Sequence, residues 1–172
     1  ITDGPAGGSA LVVSDGAHRI VNQNDCRTSD LSALLAHGPI DLHFLQYSGA
    51  IWYPMVYDEP AQRMRELIDL KVESQFARAM RYVEALNARA VVPSAGPPCF
   101  LDPELFAFND VAKDSCSIFP DQTRFIAQLN AVQRHGIINI PGTCITLGDD
   151  IETLHPIAEE NVQEIFSDKE SY

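Results

Sequence analysis

Arg-Ile-Val-Asn-Gln-Asn-Asp-Cys, residues 19–26, is the stretch that decides the fold of this chain. A short apolar run ends abruptly in the polar pair Asn24 and Asp25, and a helix-like pattern begins a few residues later. This pattern is typical of a β-strand that stops at the rim of a sheet and leads into a helix. A carboxylate at such a strand end can hold a metal ion or a polar ligand. Asp25 is therefore the first candidate functional residue.

Strand and helix patterns alternate along the rest of the chain, which predicts an α/β fold. Further strands are expected at residues 9–13, 41–46 and 90–93, the first forming a hairpin with residues 19–22. Helices are expected at residues 31–36, 60–86, 121–135 and 158–166. A last hairpin is expected at residues 137–147, turning at Pro141 and Gly142.

Three strand ends share the same polar character. They read Asn24-Asp25-Cys26, Tyr47-Ser48-Gly49 and Ser94-Ala95-Gly96. If the three strands are parallel neighbours, these loops meet at one rim of the sheet, beyond the carboxyl ends of the strands, where α/β proteins bind ligands.

Composition narrows the classes of partner. The 172 residues carry a net charge of −12, which argues against binding to nucleic acid or to an anionic membrane surface. No apolar run approaches the length of a membrane helix, and the first residues lack the features of a signal peptide. The four cysteines show no metal-ligand spacing, so we expect reduced thiols and a cytoplasmic protein.

The loops, taken in order, resemble the C-terminal half of a metallo-β-lactamase-fold domain. The resemblance is closest to the branch attached to Rieske-type hydroxylases of UDP-N-acetylmuramate and CMP-N-acetylneuraminate. It covers residues 1–147, and its motifs are Asp3-Gly4-Pro5-Ala6-Gly7, Asn24-Asp25-Cys26, Gln46-Tyr47-Ser48-Gly49-Ala50, Trp52-Tyr53-Pro54 and Pro93-Ser94-Ala95-Gly96.

This resemblance implies half of an αββα sandwich, with one sheet and helices on one face. Residues 1–150 would form the half-domain and residues 151–172 an acidic helical tail. The other sheet face would need the remainder of a longer parent chain, or another subunit, to cover it.

Two elements of the resembled enzymes are missing. None of the five histidines is two residues from another, so the His-x-His-x-Asp-His metal segment is absent. No cysteine stands two residues before a histidine, as a Rieske cluster requires. The resemblance therefore implies iron or zinc at Asp25 with ligands from outside this chain, and a Rieske 2Fe–2S cluster elsewhere in the parent protein.

The candidate residues each have a structural alternative. Asp25 is either a metal ligand or a cap of the following helix, and Cys26 and His43 are expected in the core. A nucleotide-sugar site is expected to use the strand-end loops, unless these loops are only packed turns. The substrate-binding candidates are Asn24, Ser48, Gly49, Trp52, Tyr53, Ser94 and Gly96.

Three functions remain open at this point. The first is part of a Rieske iron–sulfur monooxygenase that hydroxylates the N-acetyl group of a nucleotide sugar. The second is a metal-dependent hydrolase of the same fold, and the third is a non-catalytic scaffold module.

Overall fold

A four-stranded mixed sheet organises the chain in the computed structural model, which describes residues 8–49, 51–95, 100–109 and 117–169. The sheet runs in the order β1 (Leu11–Ser14), β2 (Arg19–Asn24), β3 (Leu42–Gln46) and β4 (Ala90–Ser94). Strand β1 pairs antiparallel with β2, whereas β2, β3 and β4 are parallel neighbours. The Asp15 carboxylate accepts the N–H groups of Ala17 and His18 and so shapes the β1–β2 turn.

Four α-helices accompany the sheet within the described residues. They are α1 (Ser32–Leu35), α2 (Ala61–Leu86), α3 (Gln122–Ala131) and α4 (Glu159–Ser167), with a short 3-10 helix at Phe106–Phe108. Helix α2 ends at Asn87, whose left-handed backbone (φ 46°) lets its N–H bond to the carbonyl of Val83. Among these residues, no helix combines the length and the apolar character that a membrane crossing requires.

Helices α2 and α3 pack on one face of the sheet. Leu45 and Val91 project from β3 and β4 onto this face and meet Val83 of α2 and Phe125 and Leu129 of α3. The helix predicted at residues 60–86 packs through an apolar stripe, because Ile68, Val72, Met80, Val83 and Leu86 are all buried. Alternate strand residues point to opposite faces, which leaves Leu42, Phe44, Ala90 and Val92 on the second face.

A two-stranded hairpin, not a helix, packs on the second face. Its strands are β5 (Cys144–Leu147) and β6 (Ile151–Leu154), which contribute Ile145, Leu147 and Ile151 to the same cluster as Leu42 and Val92. The guanidinium of Arg89 donates to the Gly148 carbonyl at 2.9 Å and to the Asp41 carboxylate at 3.0 Å, so it ties the hairpin turn to the sheet. The centre of this face is therefore covered from within the chain, with Leu42 2% and Val92 0% exposed.

The hairpin corrects one expectation from the sequence. The turn lies at residues 148–150 and not at Pro141 and Gly142, because residues 144–147 pair with residues 151–154. Ile137 instead donates its N–H to Val91, beside a parallel bridge between Val91 and Gly136. The hairpin also crosses residue 150, where the acidic tail was expected to begin. The division into residues 1–150 and 151–172 stays a prediction.

Candidate functional site

The carboxyl ends of β2, β3 and β4 meet at one rim of the sheet. The register places Asn24 beside Leu45 and Gln46 beside Ser94, so the three polar loops are neighbours in space. Asn24 and Ala95 both adopt left-handed backbone conformations, with φ of 45° and 47°. Such conformations are costly for residues other than glycine, and they cluster at functional sites.

The loop after β2 carries the predicted metal ligand. Asp25 is exposed, and Cys26 beside it is buried, with 1% of its surface accessible. Gln23 accepts the N–H of Cys26 on its own carbonyl and donates its side-chain amide to the Cys26 carbonyl, both at 2.9 Å. In residues 8–49, 51–95, 100–109 and 117–169, no three His, Cys, Asp or Glu side chains come together as a metal site. The metal role of Asp25 stays a prediction.

The other predicted site residues are divided between interior and surface. Ser48 is buried, and Ser94 is half-buried at the end of β4. Trp52 packs among Phe100, Phe108 and Phe119, with ring centroids 5.0–5.5 Å apart, so its ring belongs to an aromatic cluster. Gly96 lies outside the described residues.

Gly49 and Tyr53 line a pocket of about 380 Å³ between the loop after β3 and helix α2, here called the rim pocket. The loop after β2 contributes Arg27 to the same pocket. The remaining wall comes from Ile51 and from one side of α2, namely Leu67, Leu70, Lys71, Ser74, Gln75 and Arg78. Of the predicted substrate-binding residues, Gly49 and Tyr53 line the rim pocket, and their role in binding stays a prediction.

Three cations converge on the rim pocket in a chain that is strongly acidic overall. Burial lowers the pKa of Lys71, and the neighbouring charge of Arg27 lowers it further. Burial is also the first cause that lowers the pKa of Arg78, followed by the charge of Arg27. The lowered pKa values of Lys71 and Arg78 reflect partial burial and repulsion by the charge of Arg27, which favours an anion in the pocket.

Lys71 also fixes the wall of the rim pocket. Its ammonium group donates to the carbonyls of Ile51 and Tyr53 and lies 5.9 Å from the centroid of the Tyr53 ring. The exposed ring of Tyr53 in turn contacts Tyr57 edge to face, with centroids 5.5 Å apart. The loop thus presents aromatic surface at the mouth of the pocket.

Gln75 and Arg78 carry buried polar atoms that lack hydrogen-bond partners among the described residues. Oε1 of Gln75 and Nη2 of Arg78 are buried, and neither has a hydrogen-bond partner in the described part of the chain. The amide of Gln75 lies so close to the loop backbone that a Cβ at Gly49 would come within 2.4 Å of its Nε2. Buried polar atoms without partners are costly, so this arrangement suits a bound polar group.

The sequence reasoning missed the residues that α2 contributes. They recur at residues 67, 70, 71, 74, 75 and 78, which is a second helical stripe beside the apolar one. The helical spacing of these residues could have indicated the site from the sequence. It places two cations and two uncharged polar residues on one face of the helix, beside its apolar face.

Comparison with known proteins shows which proteins are similar in sequence to this chain. It is 49% identical over 175 residues to proteins of two strains of Mycobacterium tuberculosis named "Putative Rieske 2Fe-2S iron-sulfur protein", an alignment covering 99% of this chain and 34% of each relative. A protein of Mycolicibacterium smegmatis with the same description is 49% identical over 160 residues, 90% of this chain and 31% of its own length.

Almost the whole of this chain therefore aligns with one part of proteins that are named as Rieske 2Fe–2S iron–sulfur proteins. It spans about a third of the length of the curated relatives it matches. No protein-family model matches the chain. No solved structure matches it either, so the metallo-β-lactamase sandwich stays a prediction beyond the mixed α/β sheet described above.

The residues of this chain do not fit a Rieske cluster, which needs two cysteines and two histidines. No cysteine stands two residues before a histidine anywhere in the sequence. Cys26 is enclosed by Val21, Leu34 and Leu86, whereas Cys144 is exposed on the hairpin. His43 is fully buried in β3, and its Nε2 is 2.9 Å from Oε1 of Gln23. Cys26 and His43 are thus enclosed in the core, whereas Cys144 is exposed.

Proposed function

We propose that this chain is the substrate-binding part of a Rieske-type monooxygenase that hydroxylates the N-acetyl group of a nucleotide sugar such as UDP-N-acetylmuramate. The observation that carries the proposal is the 49% identity along 99% of the chain to proteins named for a Rieske cluster, in a segment that itself lacks cluster ligands. A segment of this kind serves a function other than holding the cluster. The cluster and the catalytic iron would belong to other segments of the parent protein.

The rim pocket supports a substrate-binding role. It is concave, has mainly apolar walls and contains a few convergent polar groups, which is the usual character of a small-molecule site. Its cations suit the phosphates of a nucleotide sugar, and the exposed ring of Tyr53 suits stacking against a sugar or base. The similarity to iron–sulfur proteins favours this function over the metal-dependent hydrolase.

The proposed partner is the remainder of the parent chain, and the proposed compartment is the cytoplasm, where thiols stay reduced. Within this assembly the chain would hold the nucleotide end of the substrate so that the N-acetyl methyl reaches the iron. Asp25 could add a ligand to that iron only together with groups from outside this chain.

Turnover by the full-length protein tests the proposal. We expect the purified protein to show Rieske absorbance and to convert UDP-N-acetylmuramate, with O₂ and a reductant, into a product one oxygen atom heavier by mass spectrometry. Heavy-isotope O₂ should deliver its label to the N-acyl group. Absence of an iron–sulfur signal would overturn the proposal, as would a product formed equally well without O₂, which points to the hydrolase.

A further inference from the structure

We infer that the rim pocket is a phosphate-binding site in which Arg78, Lys71 and Arg27 contact the phosphate oxygens of the ligand. The inference concerns an anion site that can be tested without turnover. The assignment of the ligand as the diphosphate of a nucleotide sugar rests on the proposed function.

Charge is the first argument. The chain has 24 acidic and 12 basic residues, yet three of the basic side chains line one pocket. No Asp or Glu is among the described residues that line it. Like charges close together repel one another, and Lys71 and Arg78 are partly buried, so an anion in the pocket would stabilise them. Phosphate oxygens are well matched to guanidinium and ammonium donors.

Unpartnered atoms are the second argument. Nη2 of Arg78 is a buried donor and Oε1 of Gln75, one helical turn earlier, is a buried acceptor, and neither finds a partner in the described residues. A ligand that satisfies both must bring an acceptor for the guanidinium and a donor for the amide oxygen. A phosphorylated sugar or nucleoside does so, because phosphate oxygens and hydroxyl groups occur together.

Shape is the third argument. The volume of about 380 Å³ suits a small molecule and is too small for a groove that follows a nucleic-acid strand. The net charge of −12 also opposes binding of a polyanion. The cations lie beside an apolar wall formed by Ile51, Leu67 and Leu70 and beside the ring of Tyr53. This combination favours a ligand with a charged phosphate and a less polar ring.

Calorimetric titration of the full-length protein provides the test, with uridine 5′-diphosphate, inorganic pyrophosphate and uridine as the probes. We expect both phosphate-bearing probes to bind and uridine to bind at least tenfold more weakly than the diphosphate. Arg78→Gln should weaken diphosphate binding about 10- to 100-fold, the usual value of a charged hydrogen bond. Arg78→Lys, which keeps the charge, should recover part of this loss.

Arg65→Gln is the matched control. Arg65 is an exposed cation on the same helix and does not line the rim pocket, so its loss removes the same charge from the same element. We expect this variant to bind the diphosphate as the unchanged protein does. Circular dichroism of each variant establishes that the helix is retained.

The outcomes separate this inference from the proposed function. Diphosphate binding that depends on Arg78, in a protein that does not hydroxylate the sugar, supports the site while the proposed function fails. Equal diphosphate affinity in Arg78→Gln and the unchanged protein overturns the inference, even if turnover is observed. Uridine binding as tight as that of the diphosphate also overturns it.

Discussion

His43 is a histidine enclosed in the core. It lies on β3 between Val21 of β2 and Val91 of β4 and is 0% exposed. Its Nε2 bonds to Gln23, whose amide in turn donates to the Cys26 carbonyl. Nδ1 of His43 is buried without a partner in the described residues, so the ring has one satisfied nitrogen. Burial lowers the pKa of His43 to about 4, which keeps the imidazole neutral.

This neutral histidine predicts a pH dependence of stability. Because the pKa of His43 is about 4 in the folded chain and 6.5 in the unfolded chain, only the unfolded chain takes up this proton between these values. The free energy of unfolding should therefore be unaffected by this group above pH 6.5 and fall by up to about 3 kcal/mol as the pH drops from 6.5 to 4. Urea unfolding at intervals across this pH range measures the slope of the free energy of unfolding against pH.

His43→Gln provides the comparison, because glutamine has a donor for Gln23 and no proton to gain in this range. The slope between pH 6.5 and 4.5 should become shallower in this variant, whatever its absolute stability. His37→Gln, which replaces an exposed histidine, should keep the original slope. An unchanged slope in His43→Gln would assign the pH dependence to other groups.

At the scale of elements, the loop after β3 comes close to helix α2 at one point on the wall of the rim pocket, where Gly49 meets the side-chain amide of Gln75. A Cβ added at Gly49 would lie 2.4 Å from Nε2 and 3.3 Å from Cδ of Gln75. Gly49→Ala should therefore displace the amide of Gln75, and because this flexible side chain borders the rim pocket, the free energy of unfolding should fall by only about 1 kcal/mol, the low end of the usual cost of overpacking. Chemical denaturation of the variant measures this loss.

A double-mutant cycle tests the cause of that loss. Removing the clash with Gln75→Ala should make the double variant less destabilised than the sum of the single variants, because the two side chains compete for one space. Gly148→Ala is a suitable control, since the nearest atom to its added Cβ is the Asp150 carbonyl oxygen at an ordinary 3.5 Å. Additive losses for Gly49 and Gln75 would contradict the proposed contact.

The elements of the central sheet could be predicted from the sequence, whereas the hairpin could not. Residues 42–46 and 90–94 are apolar runs bounded by polar or turn residues, and α2 has a long regular stripe. By contrast, residues 137–140, 144–147 and 151–154 are three short runs of similar character. All three contribute to the cluster around Leu42 and Val92, but only the last two pair with each other. Local sequence does not contain that tertiary information.

The same limit applies to the candidate site. The strand-end loops identified Gly49 and Tyr53 as lining residues, because parallel strands bring their ends together. Lys71 and Arg78 were missed because exposed cations on a long helix are usually solvated. Helix α3 ends at Ala131 and not at residue 135 as predicted, since Gln133 takes the left-handed conformation with φ 58°.

For the whole molecule, the proposed function depends on where an iron–sulfur cluster would be held. The four cysteines are Cys26, Cys99, Cys116 and Cys144, and none has the spacing to a histidine that a Rieske ligand pair requires. Of the two in the described residues, Cys26 packs in an apolar cluster and Cys144 is exposed on the hairpin. The proposed function therefore requires the ligands to come from other segments.

Replacing each cysteine in the full-length protein tests this requirement. We expect Cys26→Ala, Cys99→Ser, Cys116→Ser and Cys144→Ser to keep the Rieske absorbance, the electron paramagnetic resonance signal and the iron content of the unchanged protein. Cys26→Ala should lower only the thermal stability, because it removes a buried sulfur from the packing around Leu34 and Leu86. A folded Cys144→Ser variant without the cluster signal would show that the hairpin holds iron. The proposal that this chain binds substrate while other segments hold the cluster would then be wrong.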